Sequence, residues 1–329
     1  MPQVILPKTL AGKPVGPVGY GMMLLTLLGG IPYEECVKPM KAALENGANL
    51  WNAGTFYGPP DANSLQLLSY YFERYPEDAD KVVLSIKGAY DASKNVPATR
   101  PEQIRASVDE CLAILGGRKS IDIFEAARTD PNVPVESNVN TFLELIKEGK
   151  IGSYGLSEVN AQTIRRAHAV SPPAAVEVEF SMFSRDALEK GGVYDTCAEL
   201  GIPIIGYSPL DRGWLTGQLK TLDDIKEGDF RKFYPRFQPG NFEQNVKLAE
   251  FVEQIAKKKG CTSAQVAIAW VQQQGVIAIP GSSKVSRVVE NTTPVKLTEA
   301  ETAELQQAID KVKISGHRYP EPFHAYLNQ

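Results

Sequence analysis

The sequence predicts an α/β fold, a (β/α)8 TIM barrel, from three observations. Eight short β-rich runs alternate with longer amphipathic segments along most of the 329 residues. The alternation recurs at roughly thirty residues, the size of one βα unit. The Gly-x-Gly-x-x-Gly turn that opens a dinucleotide-binding open sheet is missing, since Gly19-Tyr20-Gly21-Met22-Met23-Leu24 has its first two glycines and lacks the third.

The expected strands are 18–22, 50–52, 82–87, 121–126, 151–156, 174–179, 202–207 and 276–279. Helical spacing of apolar residues marks 33–46, 101–115 and 137–148 between them. Thr99-Arg100-Pro101-Glu102 offers a cap, a proline and an acidic first turn, and Thr298 with Glu301 starts a last helix running to about 313. Gly47, Gly149 and Gly201 each stand between a helix and a strand, where a left-handed cap is wanted. The expected organisation is a single barrel domain over 1–329, interrupted by a long connection at 211–244 and followed by a tail at 315–329. A connection of that length is usually functional or disordered. The tail either folds over the barrel mouth or hangs loose.

Composition excludes several functions. Lys and Arg total 35 against 39 Asp and Glu, a net charge of −4, which disfavours a nucleic-acid binder. Cys36, Cys111, Cys197 and Cys261 are far apart with no histidine at ligand spacing, so no metal site is expected and a reducing compartment is. The amino terminus lacks a basic segment followed by an apolar run, and the longest apolar stretch, 22–28, is far short of the ~20 residues that cross a bilayer. A cytoplasmic protein without membrane or nucleic-acid partners is expected. Its oligomeric state is not encoded in any motif. The three histidines, His168, His317 and His324, lie away from every expected strand end.

A barrel of this kind places its site at the carboxyl ends of the strands. After the second strand stands Trp51-Asn52-Ala53-Gly54-Thr55-Phe56-Tyr57-Gly58, and the third ends Ser85-Ile86-Lys87-Gly88. A lysine beside a tyrosine lowers the phenol's pKa and readies it for proton donation to an alkoxide. The same two residues also suit a helix cap and a solvent-seeking lysine.

Asn52 with Tyr57-Gly58, Lys87, Gly155-Leu156-Ser157, Gly206-Tyr207-Ser208-Pro209-Leu210, and Ile279-Pro280-Gly281-Ser282-Ser283 with Arg287 and Glu290-Asn291 together resemble the aldo-keto reductase superfamily. With Ala127-Arg128-x-Asp130-Pro131, Ser157-Glu158 and Phe183-Ser184-Arg185-Asp186, the pattern is similar to fungal pyridoxal reductases. The resemblance implies a carbonyl reductase of small molecules that uses NADPH, with pyridoxal reduced to pyridoxine as the leading reaction. A biosynthetic or lyase-like relative acting on another carbonyl, and a non-catalytic NADPH-binding subunit, are the alternatives.

By that resemblance Tyr57 is the proton donor and Lys87 its electrostatic partner. The family's Asp is Asn52 here, and its His falls at Ala127. Loss of the Asp leaves the Lys87 field on Tyr57 less compensated, while burial of an unpaired lysine works the opposite way. The resemblance assigns the carboxamide of the cofactor to Ser157, Glu158 and Glu177, where the family's usual Asn and Gln become the two glutamates. It stacks the nicotinamide on Tyr207 and lines the pyrophosphate with Ser208, Leu210 and Arg212. Gly281, Ser282, Ser283, Lys284 and Arg287 take the 2′-phosphate side, with Glu290 and Asn291 at the adenine. Trp51, Phe56, Phe124 and Ala127 are expected to line the substrate pocket.

Overall fold

Side-chain alternation on eight short parallel strands sorts the chain into a filled barrel and its coat in a computed structural model, which describes residues 3–27 and 29–327. Met1, Pro2, Leu28, Asn328 and Gln329 lie outside the described residues, and with them the ends of the expected 1–329 domain and the last position of the 22–28 apolar stretch. The strands are β1 (Tyr20–Gly21), β2 (Leu50–Gly54), β3 (Val83–Gly88), β4 (Ile121–Ala126), β5 (Ile151–Ser157), β6 (Val176–Glu179), β7 (Ile204–Tyr207) and β8 (Ile277–Ala278). Each pairs in parallel with the next in sequence. A parallel bridge from Val18 to Ala278, with the Gly19 N–H donating to the Ala278 carbonyl at 2.8 Å, joins the last strand to the first. Gly19 permits that closure, because a Cβ there would sit 2.7 Å from the Leu50 carbonyl oxygen.

The floor of the barrel is apolar. Leu50, Val83, Ile123, Ile205 and Ile277 pack with Ala175 and with Leu10, which the hairpin Thr9–Leu10 and Lys13–Pro14 presses against the bottom. Two residues further along the strands the inward positions turn polar, giving Asn52, Ser85, Glu125 and Glu177. The intervening positions face the helical coat. Trp51 is fully buried with its ring 5.0 Å from Tyr71 and 6.0 Å from Phe72, and Phe124 lies 6.0 Å from Phe142.

That coat comprises α1 (Tyr33–Glu45), α2 (Ser64–Arg74), α3 (Pro101–Leu115), α4 (Val135–Lys147), α5 (Ala161–Val170), α6 (Val193–Leu200), α7 (Asn241–Lys259), α8 (Ser263–Gln273), α9 (Val285–Thr292) and α10 (Glu299–Lys311). Gly47, Gly149 and Gly201 have φ of +80°, +71° and +69°, the left-handed geometry expected of them. Thr298 caps α10 in a reciprocal pair with Glu301. At α3 the cap differs from expectation. Arg100 is the capping residue, its N–H bonded to Gln103 Oε1 at 3.1 Å, while the Thr99 hydroxyl is buried without a partner.

The long connection is built of 3₁₀ turns at Asp211–Thr216, Leu222–Asp224, Phe230–Phe233 and Pro235–Phe237. Trp214 anchors it, fully buried between Phe183 and Phe237 at 5.5 and 5.1 Å. Of the two readings of the tail, the folded one holds. Ser315 bonds to Asn245 and Asn241 of α7, and the chain then crosses the mouth to a turn at Glu321–Tyr326. Among the described residues no helix is long and apolar enough to cross a membrane.

Candidate active site

Tyr57 leaves β2 on a turn that the backbone holds from several directions. Its N–H donates to the Gly54 carbonyl at 3.1 Å, and its own carbonyl accepts from Thr26 Oγ1 at 2.5 Å and the Ser64 N–H at 3.1 Å. Gly58 follows at φ +121°, where a Cβ would meet the Thr26 carbonyl oxygen at 2.9 Å. The Tyr57 ring packs edge-on to Phe56 at 4.8 Å, and Phe56 meets Tyr90 at 5.2 Å. Burial pushes the Tyr57 phenol up to about 12, with Lys87 pulling it down and Glu177 pushing it up. The phenol is therefore protonated at neutral pH, the form a proton donor needs.

Lys87 ends β3 inside the barrel, and its countercharge comes from the opposite wall. Lys87 Nζ lies 2.5 Å from Glu177 Oε1, and Asn52 Nδ2 donates to Glu177 Oε2 at 2.8 Å. All three side chains are buried. Burial works against the Lys87 charge, but the adjacent carboxylate outweighs it and the pKa stands above the ordinary lysine value. A second acid, Glu125, accepts from Ser85 Oγ at 2.9 Å and has no partner for its other oxygen. Burial, followed by repulsion from Glu177, pushes Glu125 up to about 8. Glu177 is itself raised by burial, with Lys87 pulling it down and Glu158 pushing it up.

The ends of β5, β6 and β7 carry a denser charge network. Glu158 accepts from the Glu179 N–H at 2.9 Å and pairs with Arg318 of the tail at 2.7 Å. Glu179 takes a bidentate pair from Arg212 at 2.8 and 3.1 Å, and Asp211 pairs with Arg236 at 2.8 Å. The Arg212 pair, with Arg318 and Arg236 nearby, holds Glu179 down to about 2 despite its burial. Glu158, Ser208, Asp211 and Arg212 all have positive φ between 44° and 55°, backbone strain concentrated at strand ends. The Tyr207 and Tyr319 hydroxyls are 3.1 Å apart, and Lys87 Nζ sits 4.8 Å from the Tyr207 ring centre.

The mouth has features that fit a nicotinamide cofactor. Ser157 Oγ is buried there with no hydrogen-bond partner. After β8, Ser282 is buried, its Oγ accepting from the Lys284 N–H at 3.1 Å, while Ser283, Lys284 and Arg287 are exposed at the start of α9. No ion pair among the described residues uses Lys284 or Arg287, and Arg287 reaches only Gln218 of the long connection, at 2.9 Å. Gly281 packs on Gly21, where a Cβ would meet its carbonyl oxygen at 2.5 Å. Glu290 is half-buried and Asn291 buried along the same helix. Ser208 and Leu210 are half-buried beside Tyr207.

Several expectations change. Trp51 and Phe124 are not pocket residues, since strand parity turns both into the helical coat, where neither has exposed surface. Phe56 alone of the expected aromatics stands at the mouth, half-buried. Ala127 is tucked against β3, its N–H on the Gly88 carbonyl at 2.9 Å. Both Glu177 oxygens face Lys87 and Asn52 rather than a free carboxamide position, and the Arg212 guanidinium is committed to Glu179. Sequence reasoning missed Glu125, Arg128, Glu179, Arg318 and Tyr319. Inward parity from Ile123 would have found Glu125; the tail residues carry no periodic signal.

The chain is similar to known proteins over most of its length. The aldo/keto reductase family model matches residues 17–310. A protein of Schizosaccharomyces pombe named probable pyridoxal reductase 2 is 42% identical over 331 residues, covering 96% of this chain and 98% of its own. An aldo-keto reductase of Gibberella moniliformis is 34% identical, with 92% and 93% covered. Among solved structures, the glycerol dehydrogenase of Gluconobacter oxydans superposes with a TM-score of 0.81 at 23% identity, with 96% of this chain and 97% of that one covered. An aldo-keto reductase of Klebsiella pneumoniae in complex with NADPH gives a TM-score of 0.72 at 18% identity, with 96% and 99% covered. With its barrel, its Tyr57 and Lys87, and a match over most of its length, this chain belongs to the aldo/keto reductase family.

Proposed function

We propose that the chain is an NADPH-dependent reductase of small carbonyl compounds and that pyridoxal is its substrate. The observation that carries this reading is a protonated Tyr57 phenol at the barrel mouth, under the field of a Lys87 ammonium that Glu177 keeps charged. Identity of 42% to a protein named probable pyridoxal reductase 2 supports the substrate. The bound cofactor supplies a hydride to the carbonyl carbon. Tyr57 supplies the proton to the oxygen, and the Lys87 charge stabilises the phenolate that remains. Ser157 holds the carboxamide with its free hydroxyl, Tyr207 offers its ring to the nicotinamide, and Lys284 with Arg287 binds the 2′-phosphate. Folding of the tail over the mouth excludes water from the reacting groups.

The test follows NADPH absorbance with pyridoxal and with a panel of bulkier aldehydes and ketones. Saturable turnover of pyridoxal at low concentration is expected. Saturation only by a large ketone would transfer the assignment to another carbonyl substrate, and stoichiometric NADPH binding without oxidation of any substrate would make the chain a binding subunit.

A further inference from the structure

Charge balance at the barrel mouth leaves one cation over. Arg212, Arg236 and Arg318 pair with Glu179, Asp211 and Glu158 at 2.8, 2.8 and 2.7 Å. Lys87 is matched by Glu177, and Glu125 keeps its proton at neutral pH. Arg128, the residue after Ala127 at the end of β4, has no carboxylate partner among the ion pairs of the described residues. Its Nη1 donates to the Ala127 carbonyl at 2.5 Å, and its guanidinium carbon lies 5.9 Å from the centre of the Tyr319 ring. It is half-buried. Its charge is felt at Tyr207, Tyr319, Glu158 and Tyr57, and at Tyr90, so it stands among the groups of the mouth without an ion-pair contact to any of them.

The surroundings select the ligand. Phe56, Tyr90 and Tyr319 are half-buried aromatic surfaces around Tyr57 and Arg128, suited to a flat ring. A guanidinium presents its N–H groups in one plane and reads two coplanar oxygens better than one. We propose that Arg128 forms a binding site for an aromatic aldehyde that carries an anionic oxygen on the neighbouring ring carbon. The fork holds that oxygen beside the carbonyl oxygen protonated by Tyr57. The inference rests on the reductase reading above and names its substrate class. The 3-oxygen of pyridoxal, next to the 4-aldehyde, has this arrangement. Arg128 then also donates toward the carbonyl oxygen at a mouth where Ala127 offers no side-chain donor.

The experiment compares kcat/KM at pH 7 for 3-hydroxypyridine-4-carbaldehyde and its 3-methoxy analogue, in the wild type, Arg128→Met, Arg128→Lys and Tyr57→Phe. Both aldehydes are measured on one preparation, so their ratio is independent of the folded fraction. The hydroxy-to-methoxy ratio is expected to fall about 10- to 100-fold in Arg128→Met, the loss of one hydrogen bond to a charged group. In Arg128→Lys, which keeps the charge and loses the fork, it falls by less. Equal losses for both aldehydes in Arg128→Met, with Tyr57→Phe inactive on both, overturn the oxyanion site and leave the reductase reading standing. Undiminished turnover by Tyr57→Phe overturns both.

Discussion

Lys87 and Glu177 face each other across the barrel at 2.5 Å, from strands three positions apart around the ring. Asn52, at the position where the resemblance implies an Asp, donates to the same Glu177 at 2.8 Å. Relative to the pattern that the resemblance implies, with an Asp at 52 and a Gln at 177, the acid and the amide have exchanged walls. The exchange answers the question the sequence left open, whether the buried ammonium stands uncompensated.

The exchange can be reversed by mutation. Glu177→Gln removes the ion-pair partner of the buried Lys87, which costs about 3–5 kcal/mol when one partner of a buried pair is removed. Asn52→Asp alone sets a second carboxylate against Glu177 and also destabilises. The double variant Asn52→Asp/Glu177→Gln restores one acid and one amide, so its stability and activity recover most of both losses. A double-mutant cycle by denaturant unfolding measures the coupling; additive losses contradict the exchange.

Glu125 makes stability fall with pH. Its carboxyl titrates at about 8 in the fold against an ordinary 4.5, raised by burial and then by Glu177. Between those values the fold holds a proton that the unfolded chain has released, so stability declines as pH rises through the window and levels off above it. Glu125→Gln removes the proton and keeps an acceptor for Ser85. Its stability relative to the wild type therefore grows from pH 5 to pH 8, by about 1.4 kcal/mol per pH unit. Urea unfolding at three pH values checks this, and a constant difference contradicts it.

The tail is held by charge. Arg318→Met strands Glu158 and loosens Glu179, both fully buried, at a cost of about 3 kcal/mol. Faster cleavage of the tail by a limiting protease accompanies the loss. An unchanged digestion rate means that other contacts hold it.

On the proposed function, Lys284 and Arg287 set the choice of cofactor. Replacing both with Ala removes charge from the exposed start of α9, raising the KM for NADPH about 10-fold or more while that for NADH changes little. A parallel rise for both cofactors places the 2′-phosphate elsewhere.

Much of the fold was legible because its signals are local. All eight strands appear within a few residues of their expected positions, and Gly47, Gly149 and Gly201 take the left-handed turn for which no other residue is as well suited. The orientations of Trp51 and Phe124 were also within reach, since Leu50 and Ile123 face inward and parity sends their neighbours out. The partner of Lys87 was not, because it depends on a closure that brings together residues 90 positions apart (177 − 87 = 90). Nor was the tail, whose Arg318 finds Glu158 through ion pairing that leaves no trace in hydrophobic period.

The most direct test of the account is the kcat/KM for pyridoxal of Tyr57→Phe beside the wild type, with NADPH binding measured on both by fluorescence. The account predicts that binding persists and that kcat/KM falls at least 10²-fold, and up to ~10⁴-fold, the contribution of a positioned proton donor. Turnover within a few-fold of the wild type contradicts it.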